Sequence, residues 1–455
     1  MCILLIMIGR LTLEQYARRA HVAAAEGDHS HFHAALSSFE SAASKHHSAH
    51  AWLEIALLLT EMGESHEVAH ARHRALQCDP TIANEPLYRA LGLFLHEVAE
   101  SDTHDVVLAA CAAGGSAALI AGEHVLAHAP RLAQRCAKAL SPNAVPISLV
   151  SRVWRLRAQT ANTPGEAHAA WQFAIRETHF AGRQRYLLQY THELLQAGAL
   201  SLAKKQFTTL QQLGSLPDEL AVNAQVLLAR IQFASGNPHE AHMLLRTTNL
   251  TVGSEPVQHE ATLLHADIAR VLGDSATEAH HLGTLLHAHP ELTERYVHAL
   301  RENGNYAAAL SALQQHPGAV APDLHLLVEA EYAYHHGDHA YALELAHDVF
   351  ERSGSVQAAL LIAQSEEAVG GFTEAAHFYH HVVLHAPATA DALHAASELL
   401  RLHEHADVLS ERDVRQMAKH VLGAAEPWSP EAEAAERAVL QLERARQDEA
   451  EFLVN

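Results

Sequence analysis

The feature that most constrains this chain is a period. Helical runs of about 12–15 residues, split by short Gly, Asn, Asp and Pro breaks, restart near residues 13, 49, 85, 115, 148, 184, 222, 259, 290, 323, 356 and 390. The shortest step, from 85 to 115, is 30 residues, and the longest, from 184 to 222, is 38. Nowhere do Val, Ile and aromatic residues alternate with a period of two, so no strand is expected. A two-helix unit of this size cannot bury its own apolar face, whereas a stack of such units can. The sequence therefore predicts an all-α repeat array over 13–425. After Pro427 and Pro430, a charged amphipathic helix over 426–455 closes the stack. Residues 1–12 form an apolar extension, MCILLIMIGRLT, within which Met7 is an alternative start. The extension is too short to span a bilayer and lacks a basic segment and a small-residue cleavage site.

The residues within each period are informative. With Trp52 at position 4, Ala56 falls at 8, Leu59 at 11, Gly63 at 15, Val68 at 20, Ala75 at 27 and Pro80 at 32. In the same frame Gly370 falls at 15, Phe372 at 17, Ala375 at 20, Tyr379 at 24, Val382 at 27 and Pro387 at 32. Small side chains at 8, 20 and 27 let two helices approach closely, and large ones at 4, 11 and 24 fill the space between them. Leu187, Tyr190, Leu194, Gly198, Ala203 and Phe207 make another unit, and Ala266, Ala269, Gly273, Leu282, Leu285 and Pro290 a third. This pattern resembles the tetratricopeptide repeat (TPR). Arg72, where the family has an aromatic residue at position 24, is the main departure. The resemblance implies a right-handed superhelical solenoid of antiparallel helix pairs, with no separate catalytic domain.

The resemblance also implies a binding surface. In TPR proteins the first helices line a concave groove in which partner peptides lie. Carried over position by position, the groove would include Arg185, Asn223, Arg230, Phe233, Arg270, Arg301 and Tyr334. Arginines in successive units suit carboxylates or backbone carbonyls of an extended chain. Asp267, Glu294 and Glu331 occupy equivalent positions and offer those arginines an internal partner instead. The Lys and Asn clamp of the carboxylate-binding TPR domains is not reproduced.

Composition narrows the function classes. The formal charge is −22 with His neutral, a sign that repels nucleic-acid backbones. The four cysteines, Cys2, Cys78, Cys111 and Cys136, form no CxxC motif and suit a reducing compartment or simple helix filler. A soluble, cytoplasmic protein is the expectation, with a protein or peptide partner and no cofactor.

One catalytic motif stands out. His66-Glu67-Val68-Ala69-His70 is a literal HExxH, the arrangement in which two histidines ligate zinc and the glutamate activates water. The repeat frame puts His66 and His70 at positions 18 and 22, the outward face of a second helix, where no cleft stands above them. His377, His380, His381 and His385 fall mostly on that same outward side. They read as a solvated face, with weak metal binding as the other reading. No GxSxG, GxGxxG or P-loop is present. The sequence thus points to a non-enzymatic interaction scaffold. A ligand-sensing regulator acting through another protein is the alternative, and a zinc hydrolase using the HEVAH motif is the remaining one.

The 40 histidines make the charge soft. Their full protonation would move the formal charge from −22 to +18 (−22 + 40). Electrophoretic mobility should therefore change steeply between about pH 5 and 7.5. A flat profile would mean that most of the histidines cannot titrate.

Overall fold

A computed structural model of the chain describes residues 12–27, 29–387, 389–406, 409–424 and 428–454. Of the apolar extension over 1–12, residues 1–11 lie outside the described residues. The chain divides into two compact units, Met1–Ser254 and Glu255–Asn455. Among the described residues both units are helical and neither contains a strand.

Unit 1 holds seven helix pairs among the described residues. They are α1 (Leu13–Glu26) with α2 (His29–His46), α3 (Ala49–Leu59) with α4 (Ser65–Cys78), and α5 (Pro86–Phe94) with α6 (Glu100–Ala113). Next come α7 (Gly115–His124) with α8 (Pro130–Ala139), and α9 (Val150–Gln159) with α10 (Pro164–Arg176). The last two are α11 (Phe180–Gln196) with α12 (Leu200–Gln212), and α13 (Asp218–Ala234) with α14 (Pro238–Thr247). Unit 2 continues with α15 (Glu255–Val271) and α16 (Ser275–Leu285), then α17 (Thr293–Glu302) and α18 (Tyr306–Gln315). It goes on with α19 (Pro322–His335) and α20 (His339–Ser353), and α21 (Val356–Val369) and α22 (Phe372–His385). It ends with α23 (Ala390–Ala406), α24 (Glu411–Ala424) and the single long α25 (Pro430–Val454). In each pair the two helices pack on one another, and α25 packs on both α23 and α24. The fold is all-α and TPR-like.

Several of the turns inside pairs begin with a left-handed glycine, and in two of them it is followed by a capping aspartate. Gly273 adopts φ 74° and ends α15, its N–H donating to the Arg270 carbonyl while Asp274 N–H reaches back to Ala269. Only glycine takes that left-handed conformation without strain. Asp274 then begins the next helix by accepting from the Thr277 N–H at 3.0 Å. Gly337 (φ 82°) and Asp338 repeat this between α19 and α20, with Asp338 capping at the Tyr341 N–H. One residue stops a helix and its neighbour starts the next, so the hairpin is forced to be tight.

Tight hairpins require small residues where the helices meet. Ala56, Ala75, Ala266, Ala309, Ala342 and Ala375 are all fully buried. Large side chains such as Trp52, Tyr190, Trp171 and Tyr379 fill the space beside them. Arg72, the departure from the aromatic pattern, still does an aromatic residue's packing. Its guanidinium lies 4.0 Å over the Tyr88 ring, donates to the Tyr88 carbonyl at 3.0 Å and pairs with Glu97. A Cβ at position 92 would stand 3.0 Å from that guanidinium and 3.3 Å from Val98, so either neighbour would have to give way to a larger residue than Gly92.

Two features differ from the sequence reading. Helices α11, α13 and α15 start at residues 180, 218 and 255, four residues ahead of the periodic frame, so each has one extra turn. For α11 the cause is His179, whose side chain accepts from the Gly182 N–H at 3.1 Å and begins the helix early. Second, Cys111 of α6 and Cys136 of α8 form a disulfide, with Cα atoms 4.8 Å apart. Disulfides persist in oxidising surroundings, so these two residues no longer argue for a reducing compartment. Cys78 is a free thiol.

The bridge closes a 25-residue separation, and loop closure of that length is worth about 3 kcal/mol. Reduction, or a Cys136→Ser change, should lower the unfolding free energy by that amount, read as a lower urea midpoint at unchanged m. An unchanged midpoint would show that the helices hold the pair together unaided.

Candidate functional site

In unit 2 the first helices of successive pairs converge on an open hollow of about 740 Å³. Helix α21 contributes Gln357, Leu360, Gln364 and Glu367, and α23 contributes Asp391, His394, Glu398 and Arg401. These spacings of three and four residues put each set on one helical face. Arg301 of α17 and Glu331, Tyr334 and His335 of α19 complete the wall, and Tyr306 and Tyr379 reach in from α18 and α22.

Its charges are mostly satisfied from within. Arg301 grips Glu331 with two parallel bonds, Nε to Oε2 at 2.7 Å and Nη2 to Oε1 at 2.6 Å, and also donates to Gln357 at 3.2 Å. The Arg301 side chain is only 8% exposed. Burial works against its charge, but the Glu331 hydrogen bonds and carboxylate outweigh that and hold its pKa above the ordinary arginine value. Arg401 bonds to Glu398 at 2.6 Å and pairs with Glu367, which in turn accepts from Tyr379 at 3.0 Å. Burial raises the Glu398 pKa against the opposing pull of His394. Burial, then the Glu398 charge, raises that of Tyr334. Tyr306 stacks on His335 with ring centres 4.5 Å apart.

The residues expected in one groove are distributed. Arg301 and Tyr334 share the hollow just described. Arg270 is exposed and lines a smaller neighbouring one with Glu294, Arg295 and His298. Arg185 opens into a separate cavity of unit 1. Asn223, Arg230 and Phe233 are half-buried on α13. Arg295, which the groove pattern passed over, is the arginine that bridges Asp267 (2.7 Å) and Glu278 (2.6 Å). It was not legible because its partners sit on two other helices, 28 and 17 residues away.

The histidine motifs are occupied otherwise. His66, Glu67 and His70 are exposed on α4. Among the described residues no three His, Cys, Asp or Glu side chains are placed to hold a metal ion. His336 packs on Tyr332 at 3.9 Å, His339 sits edge-on to Tyr334, and His381 stacks on His385 at 3.9 Å. Among the described residues no helix is long and apolar enough to cross a membrane.

No family model and no curated protein matches this sequence. Solved helical-repeat structures do resemble the chain. The APC/C hetero-tetramer Cut9-Hcn1 is 11% identical over 94% of this chain and 90% of that one, with a TM-score of 0.45. The TPR domain of P58(IPK) is 14% identical over 96% and 99%, with a TM-score of 0.33. Yeast Tom70 is 13% identical over 96% and 98%, with a TM-score of 0.36. At these identities the likeness concerns the fold alone.

The Arg301–Glu331 pair gives a test of how the hollow is held. Arg301→Met strands a carboxylate that is 17% exposed and should cost about 3 kcal/mol. Adding Glu331→Leu should return most of that loss. Urea midpoints of the single and double variants measure both.

Proposed function

We propose that the protein is a non-enzymatic interaction scaffold whose second unit holds an extended segment of a partner protein along α17, α19, α21 and α23. The supporting observation is the hollow itself, an open concavity walled by the first helices of four successive pairs. An extended peptide running across such a wall meets one helix face after another, and the half-buried Gln364 and Asp391 and the exposed His394 supply polar groups along it.

The charges suggest the partner's chemistry. Two arginines face four acidic residues, Glu331, Glu367, Glu398 and Asp391, which leaves the wall net acidic with His neutral. Because Arg301 is engaged by Glu331 and Gln357, it is poorly placed to grip a partner carboxylate. A segment carrying Lys, Arg or amide side chains fits better than an acidic one. Tyr334 contributes apolar contact beside these charges, and Arg301 acts by holding Glu331 in place. In this reading Arg270 serves as a further contact point on α15, while Arg185, Asn223, Arg230 and Phe233 stand on first helices of unit 1.

Selection from a random peptide library tests the idea. Enriched peptides should be basic or amide-rich, and they should bind a variant carrying Asp391→Asn and Glu398→Gln about tenfold more weakly at low salt. No enrichment, acidic winners or unchanged affinity for the variant would each refute it.

A further inference from the structure

A second cavity lies wholly within unit 1, where the first helices of six successive pairs, α1, α3, α5, α7, α9 and α11, come together around about 430 Å³. Its inner wall carries a charged cluster. Arg152 of α9 forms two bonds to Glu123 of α7, Nε to Oε1 at 3.2 Å and Nη2 to Oε2 at 2.5 Å, and donates to Thr60 at 2.8 Å. Arg155 also bonds to Glu123, at 2.6 Å. Unlike the hollow of unit 2, this cluster is left incomplete. Glu61, just past the end of α3, has a buried carboxyl oxygen, Oε1, with no hydrogen-bond partner in the protein. The buried Nε of Arg155 is likewise unpartnered.

Leaving such groups unpaired is costly, and more so for charged ones. Glu61 and Arg155 both belong to the lining of this cavity, so a molecule with a donor at one end and an acceptor at the other is placed to serve the two side chains. Hydrocarbon also faces the cavity, from Ala24, Ala25, Phe94 and Ile120. We propose that this cavity is a binding site for a free α-amino acid with an apolar side chain, its ammonium meeting Glu61 and its carboxylate meeting the Arg155 edge. A zwitterion brings no net charge into the site, whereas a bare amine or a bare carboxylate would satisfy one orphaned group and leave the other.

The titration of Glu61 agrees with this geometry. Burial raises its pKa to about 7, outweighing the opposing effects of Arg152, a Ser148 hydrogen bond and His21, with Glu123 adding to the rise. His21 comes from α1, where it is held by Ser148 and Glu54 at 2.8 Å each. The empty site thus holds a carboxyl that is about half protonated near pH 7. An ammonium beside it favours the ionised form, so binding at pH 7 should release a proton from Glu61. The release should approach one proton at pH 6 and vanish above pH 8.

Isothermal titration calorimetry of the full chain with L-leucine, L-phenylalanine and the other free L-amino acids tests the site. Saturable binding is expected. Isoamylamine, which is leucine without its carboxylate, and N-acetyl-leucine, without its ammonium, should each bind about tenfold or more weakly. Glu61→Gln keeps the shape of the side chain but removes its charge, and should weaken leucine by a similar factor. The proposal is overturned if no amino acid binds at millimolar concentration, if the amine or acylated analogue binds as tightly, or if Glu61→Gln leaves affinity unchanged. Should that variant fail to fold, wild-type titrations in buffers of different ionisation enthalpy decide the matter. Proton release near pH 7 supports the site, and its absence excludes Glu61 as the ammonium's partner.

Discussion

Everything in this chain rests on the close approach of two helices across alanine. A residue such as Ala266 or Ala375 has no side chain to spare beyond a methyl group, and each is completely enclosed. A larger residue there would push the pair apart and open gaps that Tyr379 or Trp171 could not refill. A turn led by a left-handed glycine, followed by a capping aspartate at Asp274 and Asp338, supports the same approach from the end of the hairpin by reversing the chain in few residues. Within each unit nearest-neighbour stacking then does the rest, since a pair covers the apolar face that its predecessor leaves open.

That constraint explains which parts were legible in the sequence. Alanine, glycine and the capping aspartate act within one repeat, so their spacing alone carries the hairpin. Trp52, Ala56, Gly63 and Ala75 therefore sufficed to place a helix pair. Interactions between repeats are not legible in that way. Arg301 and Glu331 are 30 residues apart, Cys111 and Cys136 are 25, and Arg152 and Thr60 are 92. No local pattern joins them, because the repeat frame states which face a residue occupies but not which neighbour it meets. The early start of α11 escaped notice for a related reason: histidine at 179 caps that helix where Ser, Thr, Asp or Asn is the usual signal.

The abundance of histidine obscured the chemistry more than it revealed it. A literal HExxH and several histidine clusters invite a metal reading, yet a metal needs ligands that converge, and a single helix face presents them side by side. His335, His336 and His339 meet tyrosine rings instead. Imidazole serves there as a flat, half-polar ring suited to the edge of an apolar core.

The two cavities show what first helices achieve when their polar residues face one another. In the larger hollow of unit 2 the major charged groups find partners in one another. In unit 1 the same architecture encloses a smaller space, and two buried groups, Glu61 Oε1 and Arg155 Nε, are left without partners. The difference is one of bookkeeping within the cluster. Arg152 and Arg155 converge on a single carboxylate, Glu123, so the second carboxyl nearby, Glu61, feels Arg152 only at a distance and burial prevails. A scaffold gains nothing from a buried carboxyl in that condition. A site that must respond to an incoming ammonium does, because its charge is held back until the ligand supplies the missing counterion.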